Sequence, residues 1–384
     1  MWLQQNGYLE VEHFLPDAVT PCIIFSMASN QPSSKPCIGV TLGDVNGIGP
    51  EVAIRAMLDE RVLGVCEPVV VGDVDICQSA VDLLGVAATV QRLDSPTPIT
   101  RDGSIACWQP DSVEPVKLDP QQISGSAGRF AHDCLRLAAR AAKQGQFAAI
   151  CTAPLNKAAL AEADVHFPGH TEILADEFGV SDFAMMLHLS DESLRGIRQL
   201  IGTHGTAPHG LAIAHVTLHT SIQSVPESLT SVAIAEKIQL VDRFLKRLGI
   251  DKPQVAVCAL NPHGGEGGLF GSEEGAIVEP AVLAAKGQGV DAFGPFPTDT
   301  LIRRAMQGEF QGVVAMYHDQ GHIPVKLIGF DRAVNVTLGI PIVRTSPTHG
   351  TAFDIAWQGQ ANAEGMIEAM QLAAQLAVGS LPPV

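Results

Sequence analysis

The strongest constraint on the fold is a repeated order of short apolar runs, glycine-rich turns and longer amphipathic segments. The residues IGVTLGDVNGIGPEVAIRAML at 38–58 show this order, and it recurs at 68–85 and at 147–160. Each apolar run is short enough for a buried strand, and each amphipathic segment has the periodicity of a helix. Strands that alternate with helices in this way form a largely parallel sheet. The sequence therefore predicts an α/β fold, and its 384 residues predict two α/β lobes with a cleft between them.

The composition argues against several classes of protein. The formal net charge of −17 argues against nucleic acid or an anionic membrane as a partner, because both attract basic surfaces. No apolar run approaches the ~18 residues that a membrane-spanning helix needs. The eight cysteines form no CxxC pair, which favours a reducing, cytoplasmic location. We expect residues 1–36 to form a poorly ordered extension, with Met27 as an alternative start, and residues 37–384 to form the catalytic region.

Polar side chains are densest between residues 316 and 355. The run VVAM at 313–316 predicts a strand, and the residues that follow it, from His318 onward, predict an active-site loop at its carboxyl end. Lys326, Asn335 and Arg344 add two cations and an amide to the same region. These groups suit a small phosphorylated acid, although any one of them could instead be a surface or capping residue.

Further candidates follow other predicted strands. His170 and Thr171 stand at a predicted helix start, where phosphate binding competes with a capping role. Asp299 lies in a proline-bounded turn, where its alternative role is to cap the next helix. His263 lies in the glycine-rich run NPHGGEGG, and His219 ends a run, LAIAHVTLHTSI, that alternates like a strand. Because imidazoles at separate strand ends can converge on one metal, a metal site is the functional alternative to solvent-facing histidines.

Six ordered motifs carry a resemblance to a known family. TLGDVNGIGPE, TAPLNK, FPGHTE, LNPHGGEGG, GPFPTDT and MYHDQGHIPVK, with the later VNVTLG and HGTAFDIA, span most of residues 38–365. In this order they closely resemble the 4-hydroxythreonine-4-phosphate dehydrogenase (PdxA) family. The resemblance implies a two-domain fold like that of isocitrate and isopropylmalate dehydrogenases, with the active site in the interdomain cleft. It also implies a homodimer with a shared active site, a divalent metal (Zn, Mg or Co), and NAD, or else NADP, as cofactor.

The resemblance assigns roles to individual residues. It implies that the metal ligands are His219, His263 and His318, one of them from the partner subunit, and that the substrate contacts His170, Thr171, Lys326, Asn335 and Arg344. It implies catalytic roles for Asp299, Asp319 and Lys326. Relative to the family, the chain carries an insert around 195–211, to which no role is assigned.

The reaction implied by the resemblance is oxidation and decarboxylation of 4-phosphooxy-L-threonine to 3-amino-2-oxopropyl phosphate, a step of pyridoxal phosphate biosynthesis. His322, in Gly-His-Ile-Pro-Val-Lys, belongs to a variant of the loop that also occurs in relatives acting on phosphorylated threonate or erythronate. A first alternative is therefore a 4-phospho-D-threonate or 4-phospho-D-erythronate dehydrogenase of sugar-acid catabolism. A second alternative is a metal-dependent phosphohydrolase or a non-catalytic phosphate-binding protein.

Overall fold

A computed structural model describes residues 35–96, 103–200, 202 and 209–379. The predicted extension at 1–36 lies outside the described residues except for its last two positions, and most of the insert after residue 200 lies outside them as well. Cys37 begins the first strand, at the predicted start of the catalytic region.

The described residues contain one sheet of twelve strands. The strands are β1 Cys37–Thr41, β2 Glu67–Val71, β3 Thr89–Leu93, β4 Ser104–Trp108, β5 Ala149–Thr152, β6 Ala184–Leu189, β7 Leu211–His215, β8 Gln254–Cys258, β9 Asp291–Phe296, β10 Gly312–Ala315, β11 Val334–Leu338 and β12 Arg344–Pro347. Their order across the sheet is β3-β4-β2-β1-β5-β12-β11-β6-β7-β10-β8-β9.

The sheet reverses direction at its centre. Strand β11 pairs antiparallel with β12 and with β6, and β6 pairs antiparallel with β7. The remaining pairs are parallel, as in β1 with β5 and β10 with β7. The strands on one side of the sheet, β3, β4, β2, β1, β5 and β12, therefore run opposite to the strands on the other side, β7, β10, β8 and β9. This largely parallel sheet, with helices between its strands, confirms the predicted α/β class.

The helices connect and cover the strands. They are α1 Gly49–Leu58, α2 Glu60–Val65, α3 Val74–Leu84, α4 Gly125–Lys143, α5 Lys157–Glu162, α6 His170–Phe178, α7 Asp191–Leu200, α8 Val225–Ser228, α9 Ser231–Arg247, α10 Glu279–Gly287, α11 Thr298–Met306, α12 His318–Gly329 and α13 Glu364–Val378. In the stretches that the structure describes, we find no helix with the length and apolar character needed to cross a bilayer.

Local chemistry explains where these helices start. Pro50 occupies the first turn of α1, as predicted, where its missing N–H removes no helical hydrogen bond. The hydroxyl of Thr230 caps α9 by accepting a hydrogen bond from the Ala233 amide at 3.1 Å. Most residues of the interior strand β1 are apolar and buried, as in a strand covered on both faces; Ile38 and Val40 are fully buried.

Two local predictions were wrong. The residues after β10 form α12 directly, with no intervening loop, although Pro324 lies inside this helix. The predicted strand across LAIAHVTLHTSI ends at His215, so Thr217 and His219 lie beyond it. His215 is 1% exposed, which excludes the solvent-facing alternative for this histidine. The division into two lobes stays a prediction.

Candidate active site

The predicted site residues gather around a cavity of about 660 Å³, here called the central cavity. It lies over one face of the central strands, where side chains of β12, β11, β6 and β7 alternate toward it. Its lining includes seven of the predicted residues, namely His170, Thr171, His219, His318, Lys326, Asn335 and Arg344. The structure therefore brings together residues from five separate segments of the sequence.

Arg344 is the buried cation of this cavity. Its side chain is 1% exposed, and its Nε and Nη2 donate to Thr152 Oγ1 at 3.1 and 2.7 Å. Its Nη1 donates to Thr337 Oγ1 at 3.1 Å. Burial lowers the pKa of the guanidinium to about 10, which still leaves it charged at neutral pH. Across the described ranges, no carboxylate lies within ion-pair distance of Arg344, although buried charges are normally paired.

The start of α6 lies beside Arg344. His170 is the first residue of α6, as predicted, and its Nε2 is 3.1 Å from the Ala153 carbonyl oxygen, to which it donates. Burial, and then the charge of Arg344, hold the pKa of His170 well below its ordinary value, so this ring is neutral. Thr171 Oγ1 lies 3.3 Å from Thr337 Oγ1, which links the helix start to the threonine that holds Arg344. A helix N-terminus adds partial positive charge to this side of the cavity.

Two further groups in the lining are available to a ligand. Asn335 Oδ1 is buried without a hydrogen-bond partner in the described part of the chain. Because buried polar atoms are almost always hydrogen-bonded, this atom indicates a missing partner. Lys326 is exposed on α12, where its ammonium lies 5.9 Å from the Phe330 ring centroid.

Four histidines form a cluster on the opposite wall. His318 Nδ1 is 2.7 Å from Asp319 Oδ1, and the His318 and His322 rings stack at 3.7 Å with an interplanar angle of 10°. His322 Nδ1 is 3.1 Å from His215 Nε2, and the His219 ring centroid lies 6.0 Å from that of His318. Burial is the main cause of the low pKa of His215, about 3, and of His322, about 4. Both rings are therefore neutral near pH 7.

His263 and Asp299 lie elsewhere. They line a second cavity of about 870 Å³, here called the apolar cavity, together with Tyr317 and Asp319. Asp319 thus stands between the two cavities, bonded to His318. Asp299 is in the first turn of α11, and its carboxylate accepts a hydrogen bond from the Thr300 amide at 2.9 Å. Because Pro297 takes the N-cap position, the alternative prediction that Asp299 caps this helix was wrong. Within the described ranges, no group of three histidine, cysteine or acidic residues is close enough to hold a metal.

The loop that carries His263 has an uncommon backbone. His263 and Glu266 have φ values of 54° and 46°, in the left-handed region that disfavours residues with a side chain. The carboxylate of Glu274 holds the loop, accepting from the amides of Leu260 and Asn261 at 2.9 and 2.7 Å and from Asn261 Nδ2 at 3.0 Å. Strained backbone held in this way is concentrated at functional sites.

The sequence did not assign roles to several residues that line the central cavity. They are Lys157, Glu172, His215, His322 and His349. His322 lies one helical turn after His318. If the sequence had predicted a helix here, this spacing would have predicted that the two rings are neighbours. His349 begins the motif HGTAFDIA, which marked its position but gave it no role; its Nε2 is buried without a partner in the described residues.

Comparisons with known proteins agree with this arrangement. The family model described as pyridoxal phosphate biosynthetic protein PdxA matches residues 64–373. The D-threonate 4-phosphate dehydrogenase of Pectobacterium atrosepticum is 41% identical over 343 residues, which cover 88% of this chain and 99% of that protein. The 4-hydroxythreonine-4-phosphate dehydrogenase of Geobacter metallireducens is 39% identical over 347 residues, with coverages of 90% and 97%.

The fold is shared with solved structures. The crystal structure of the 4-hydroxythreonine-4-phosphate dehydrogenase of Klebsiella pneumoniae superposes with a TM-score of 0.77 and 39% identity, over 89% of this chain and 100% of that chain. Since these relatives are dehydrogenases and match nearly their whole length, the protein is an oxidoreductase that acts on a CH–OH group. The predicted resemblance is confirmed, and the chain belongs to the PdxA family.

Proposed function

We propose that the protein is a metal-dependent and NAD-dependent dehydrogenase that oxidises the secondary hydroxyl of a four-carbon acid carrying a 4-phosphate, with decarboxylation of the resulting β-keto acid. The observation that carries this proposal is the fully buried Arg344, held by two threonine hydroxyls and lacking any ion-pair partner in the described residues. An anionic substrate would supply the missing partner, and a guanidinium can bind a carboxylate or phosphate through two hydrogen bonds.

The remaining groups of this wall can bind the rest of the substrate. Thr171 and the N-terminus of α6 offer a hydroxyl and backbone amides to an anionic oxygen. The amide of Asn335 can bind a substrate hydroxyl or amine through its unpartnered Oδ1. Lys326 is placed to neutralise the second anionic group and, near the reacting carbon, to exchange a proton with the hydroxyl.

The donor set of the histidine cluster fits a divalent metal in part. His219 and His318 line the central cavity, and the bond of His318 Nδ1 to Asp319 leaves Nε2 free to be a ligand. His263 lies in the other cavity, so we propose that the partner subunit's His263 completes the site. Imidazole ligands favour zinc or cobalt over magnesium. A metal bound there would withdraw electron density from the substrate hydroxyl and from the carbonyl that replaces it.

The nicotinamide cofactor needs a separate part of the same cavity. Residues 346–350 also line the central cavity. The unpartnered Nε2 of His349 is a hydrogen-bonding group for the cofactor in this region. We propose NAD, with NADP as the alternative. A bound nicotinamide would accept the hydride of the carbinol carbon, and the hydroxyl proton would pass to a base. The carboxylate then leaves as carbon dioxide, with its electron pair taken up by the new ketone.

Two classes of substrate fit this chemistry. 4-Phosphooxy-L-threonine has an ammonium at C2, whereas 4-phospho-D-threonate and 4-phospho-D-erythronate have a hydroxyl there and so carry one more net negative charge. The cations that line the central cavity are Lys157, Lys237, Lys326 and Arg344, of which Lys237 pairs with Asp182, and Glu172 is the acidic residue of the lining. A lining with more cations than carboxylates favours the more negatively charged substrates. The hydroxy acids are therefore the second candidate substrates. The first candidate is supported by the relatives that act on 4-hydroxythreonine 4-phosphate.

We propose that the protein is a homodimer. Ile323 and Leu327 on α12 are 54% and 80% exposed, Phe330 directly after this helix is 58% exposed, and Leu200 on α7 is 80% exposed. Ile323 and Leu327 line the apolar cavity, and the exposed apolar face that they form usually marks an interface on a stable protein. A partner seated on this face would bring a second chain next to His263. The free cysteines of the described residues also support a reducing, cytoplasmic location.

The proposed function can be tested by an assay of NADH formation. Purified full-length protein would be supplied with NAD and with 4-phosphooxy-L-threonine, 4-phospho-D-threonate or 4-phospho-D-erythronate, with and without a chelator. We expect NADH from at least one substrate, loss of turnover in chelator and recovery on addition of zinc or cobalt. Release of inorganic phosphate without NADH would support the phosphohydrolase instead, and chelator-insensitive turnover would contradict the metal.

A further inference from the structure

The segment that follows β12 is fastened to the turn between β1 and α1. Residues 348–357 of this segment are here called the β12 loop, and His349 and Gly350 of the loop line the central cavity. We propose that Glu51 of α1 is a positioning residue that holds the β12 loop, fixes His349 in the cavity wall and so sets the affinity for the nicotinamide cofactor. This inference rests on the proposed binding of the cofactor along residues 346–350.

The backbone of the β12 loop needs support from outside the loop. Residues 348–357 consist of bends and turns. Ala352 and Trp357 have φ values of 40° and 59°, in the left-handed region that disfavours residues with a side chain. Backbone of this kind persists only where surrounding contacts hold it. The conformation of the loop therefore depends on the groups that bond to it.

The turn between β1 and α1 supplies such contacts. The Ile48 amide donates to the Thr351 carbonyl oxygen at 2.9 Å. The Trp357 indole Nε1 donates to the Val45 carbonyl oxygen at 2.8 Å. The amide of Trp357, one of the two left-handed residues, donates to Glu51 Oε1 at 2.5 Å. The side chain of Glu51 thus bonds the strained backbone directly, across 306 positions of the sequence.

The surroundings of Glu51 favour a positioning role over a purely stabilising one. Glu51 is 0% exposed, and its Oε2 is buried without a partner in the residues that the structure describes. An unbonded buried oxygen costs free energy, and a leucine of similar size would not carry this cost. The bond from Glu51 Oε1 to the Trp357 amide is the contact that a leucine could not replace.

His349 connects the β12 loop to the cavity. Its Nδ1 donates to the Gly350 carbonyl oxygen at 3.1 Å, so Nε2 is the acceptor of a neutral ring. Burial is the main cause of the lowered pKa of His349, which keeps the ring neutral. The buried Nε2 can accept a hydrogen bond from a hydroxyl or amide N–H of the cofactor. His349 lies between Pro347, which ends β12, and Thr351, so displacement of the loop displaces this acceptor.

The test is a measurement of cofactor binding, independent of turnover. Full-length wild type, E51L, E51Q, H349A and E51L/H349A would be titrated with NADH and with NADPH, followed by nucleotide fluorescence. Hydrogen exchange would report the mobility of amides 348–357, and thermal melting would report stability. E51L removes the acceptor at similar volume, whereas E51Q keeps an oxygen acceptor. E60A is the matched control, since Glu60 is exposed on α2, the next helix.

We expect E51L to bind the nucleotide about 10-fold more weakly, because apparent affinity falls with the fraction of molecules whose loop is competent to bind. E51Q should stay within about 3-fold of the wild type, and E60A should match it. Amides 348–357 should exchange faster in E51L than in E51Q. E51L should melt no lower than E51Q, so that affinity and stability change independently.

The double variant tests whether Glu51 acts through His349. E51L/H349A should bind the nucleotide about as weakly as H349A, because both changes remove the same contact. The inference is overturned if folded E51L binds as tightly as the wild type, if E51Q loses as much affinity as E51L, if H349A binds like the wild type, or if the two losses multiply. Binding of neither NADH nor NADPH by the wild type would instead contradict the proposed function.

Discussion

At the level of single residues, two ionisable side chains are buried without an ion-pair partner in the described residues, and they have different consequences. Arg344 is buried beside a cavity that a ligand can fill, so its missing partner can be supplied from solution. Asp44 is 0% exposed, accepts from the Asn46 amide through Oδ1, and has no partner for Oδ2 in the described residues. Burial raises its pKa to about 6. The first group indicates binding, whereas the second lowers stability.

Substitution of Arg344 by lysine should strongly impair the enzyme. An ammonium keeps the charge but cannot bond to Thr152, Thr337 and a substrate anion in the fixed geometry of a guanidinium. We expect kcat/KM to fall by about 100-fold or more, mainly through KM, since breaking a buried charged contact costs about 2–5 kcal/mol. Steady-state NADH kinetics would measure this. The control is R332K, because Arg332 pairs with Glu192 and Glu364 at the surface and should keep wild-type kinetics.

Substitution of Asp44 by asparagine should stabilise the protein at alkaline pH. The folded-state pKa of about 6 exceeds the ordinary 3.8, so the unfolded state binds fewer protons between these values and stability falls as the pH rises through them. Above pH 6 the ionised carboxylate costs up to about 3 kcal/mol, at 1.36 kcal/mol per pKa unit.

Urea unfolding of wild type and D44N at pH 8 and at pH 4 would show the effect. We expect D44N to be the more stable protein at pH 8 and the difference to shrink toward pH 4, where Asp44 is protonated in the folded state. An equal difference at both pH values would contradict an effect of the charge.

At the level of elements, the sequence could predict the strand-to-helix alternation but not every boundary. The turn from β1 into α1 was predictable because an apolar run, glycines and Pro50 follow one another. α12 was not, because Gly321 and Pro324 are typical of loops and the helix is stabilised by tertiary contacts with α7, β6, β7 and β10. The pairing of His215 with His322 depends on that helix, so it could not be read from the sequence.

Loss of Glu274 should release the loop that carries His263. Three hydrogen bonds from Leu260 and Asn261 converge on its carboxylate, at the start of the segment in which His263 has a left-handed backbone. We expect E274A to lower the melting temperature by several degrees, since each lost hydrogen bond to a charged group costs about 1.5–3 kcal/mol. Activity should fall further than stability alone explains, because His263 loses its position. Differential scanning fluorimetry and the NADH assay would measure both, with E279A, an exposed residue of α10, as the control.

At the level of the whole molecule, one chain leaves the proposed metal site incomplete. The fold brings His219 and His318 to one cavity and His263 to another, a separation that sequence spacing could not indicate. The exposed apolar face of α12 lies next to the second cavity. Assembly through this face would therefore contribute both stability and the missing ligand, so that dimerisation and activity should be lost together.

Substitution of Leu327 by glutamate should separate the subunits. Leu327 is 80% exposed on the apolar face, and burial of a carboxylate there, beside Ile323 and Ile328, would cost desolvation free energy. We expect light scattering to report a monomer, with loss of zinc affinity and of turnover. V378E is the matched control, since Val378 is 68% exposed on α13, away from this face. A dimeric L327E with full activity would place the interface elsewhere.

Mixed dimers test whether the active site is shared. H263A and H318A should each be inactive alone, but a dimer of one H263A chain and one H318A chain keeps one complete set of ligands if the partner subunit's His263 completes the site. Because random pairing makes half of the dimers mixed, each with one intact site of two, co-expression should restore roughly a quarter of wild-type activity.

The matched control is co-expression of H219A with H318A, which should restore none, because His219 and His318 line the same cavity of one chain. Differently tagged chains, purified over both tags, would confirm that mixed dimers form. If such dimers of H263A and H318A were inactive, His263 would have to serve the site of its own chain, and the loop at Asn261–Gly268 would have to move toward His318 within one subunit.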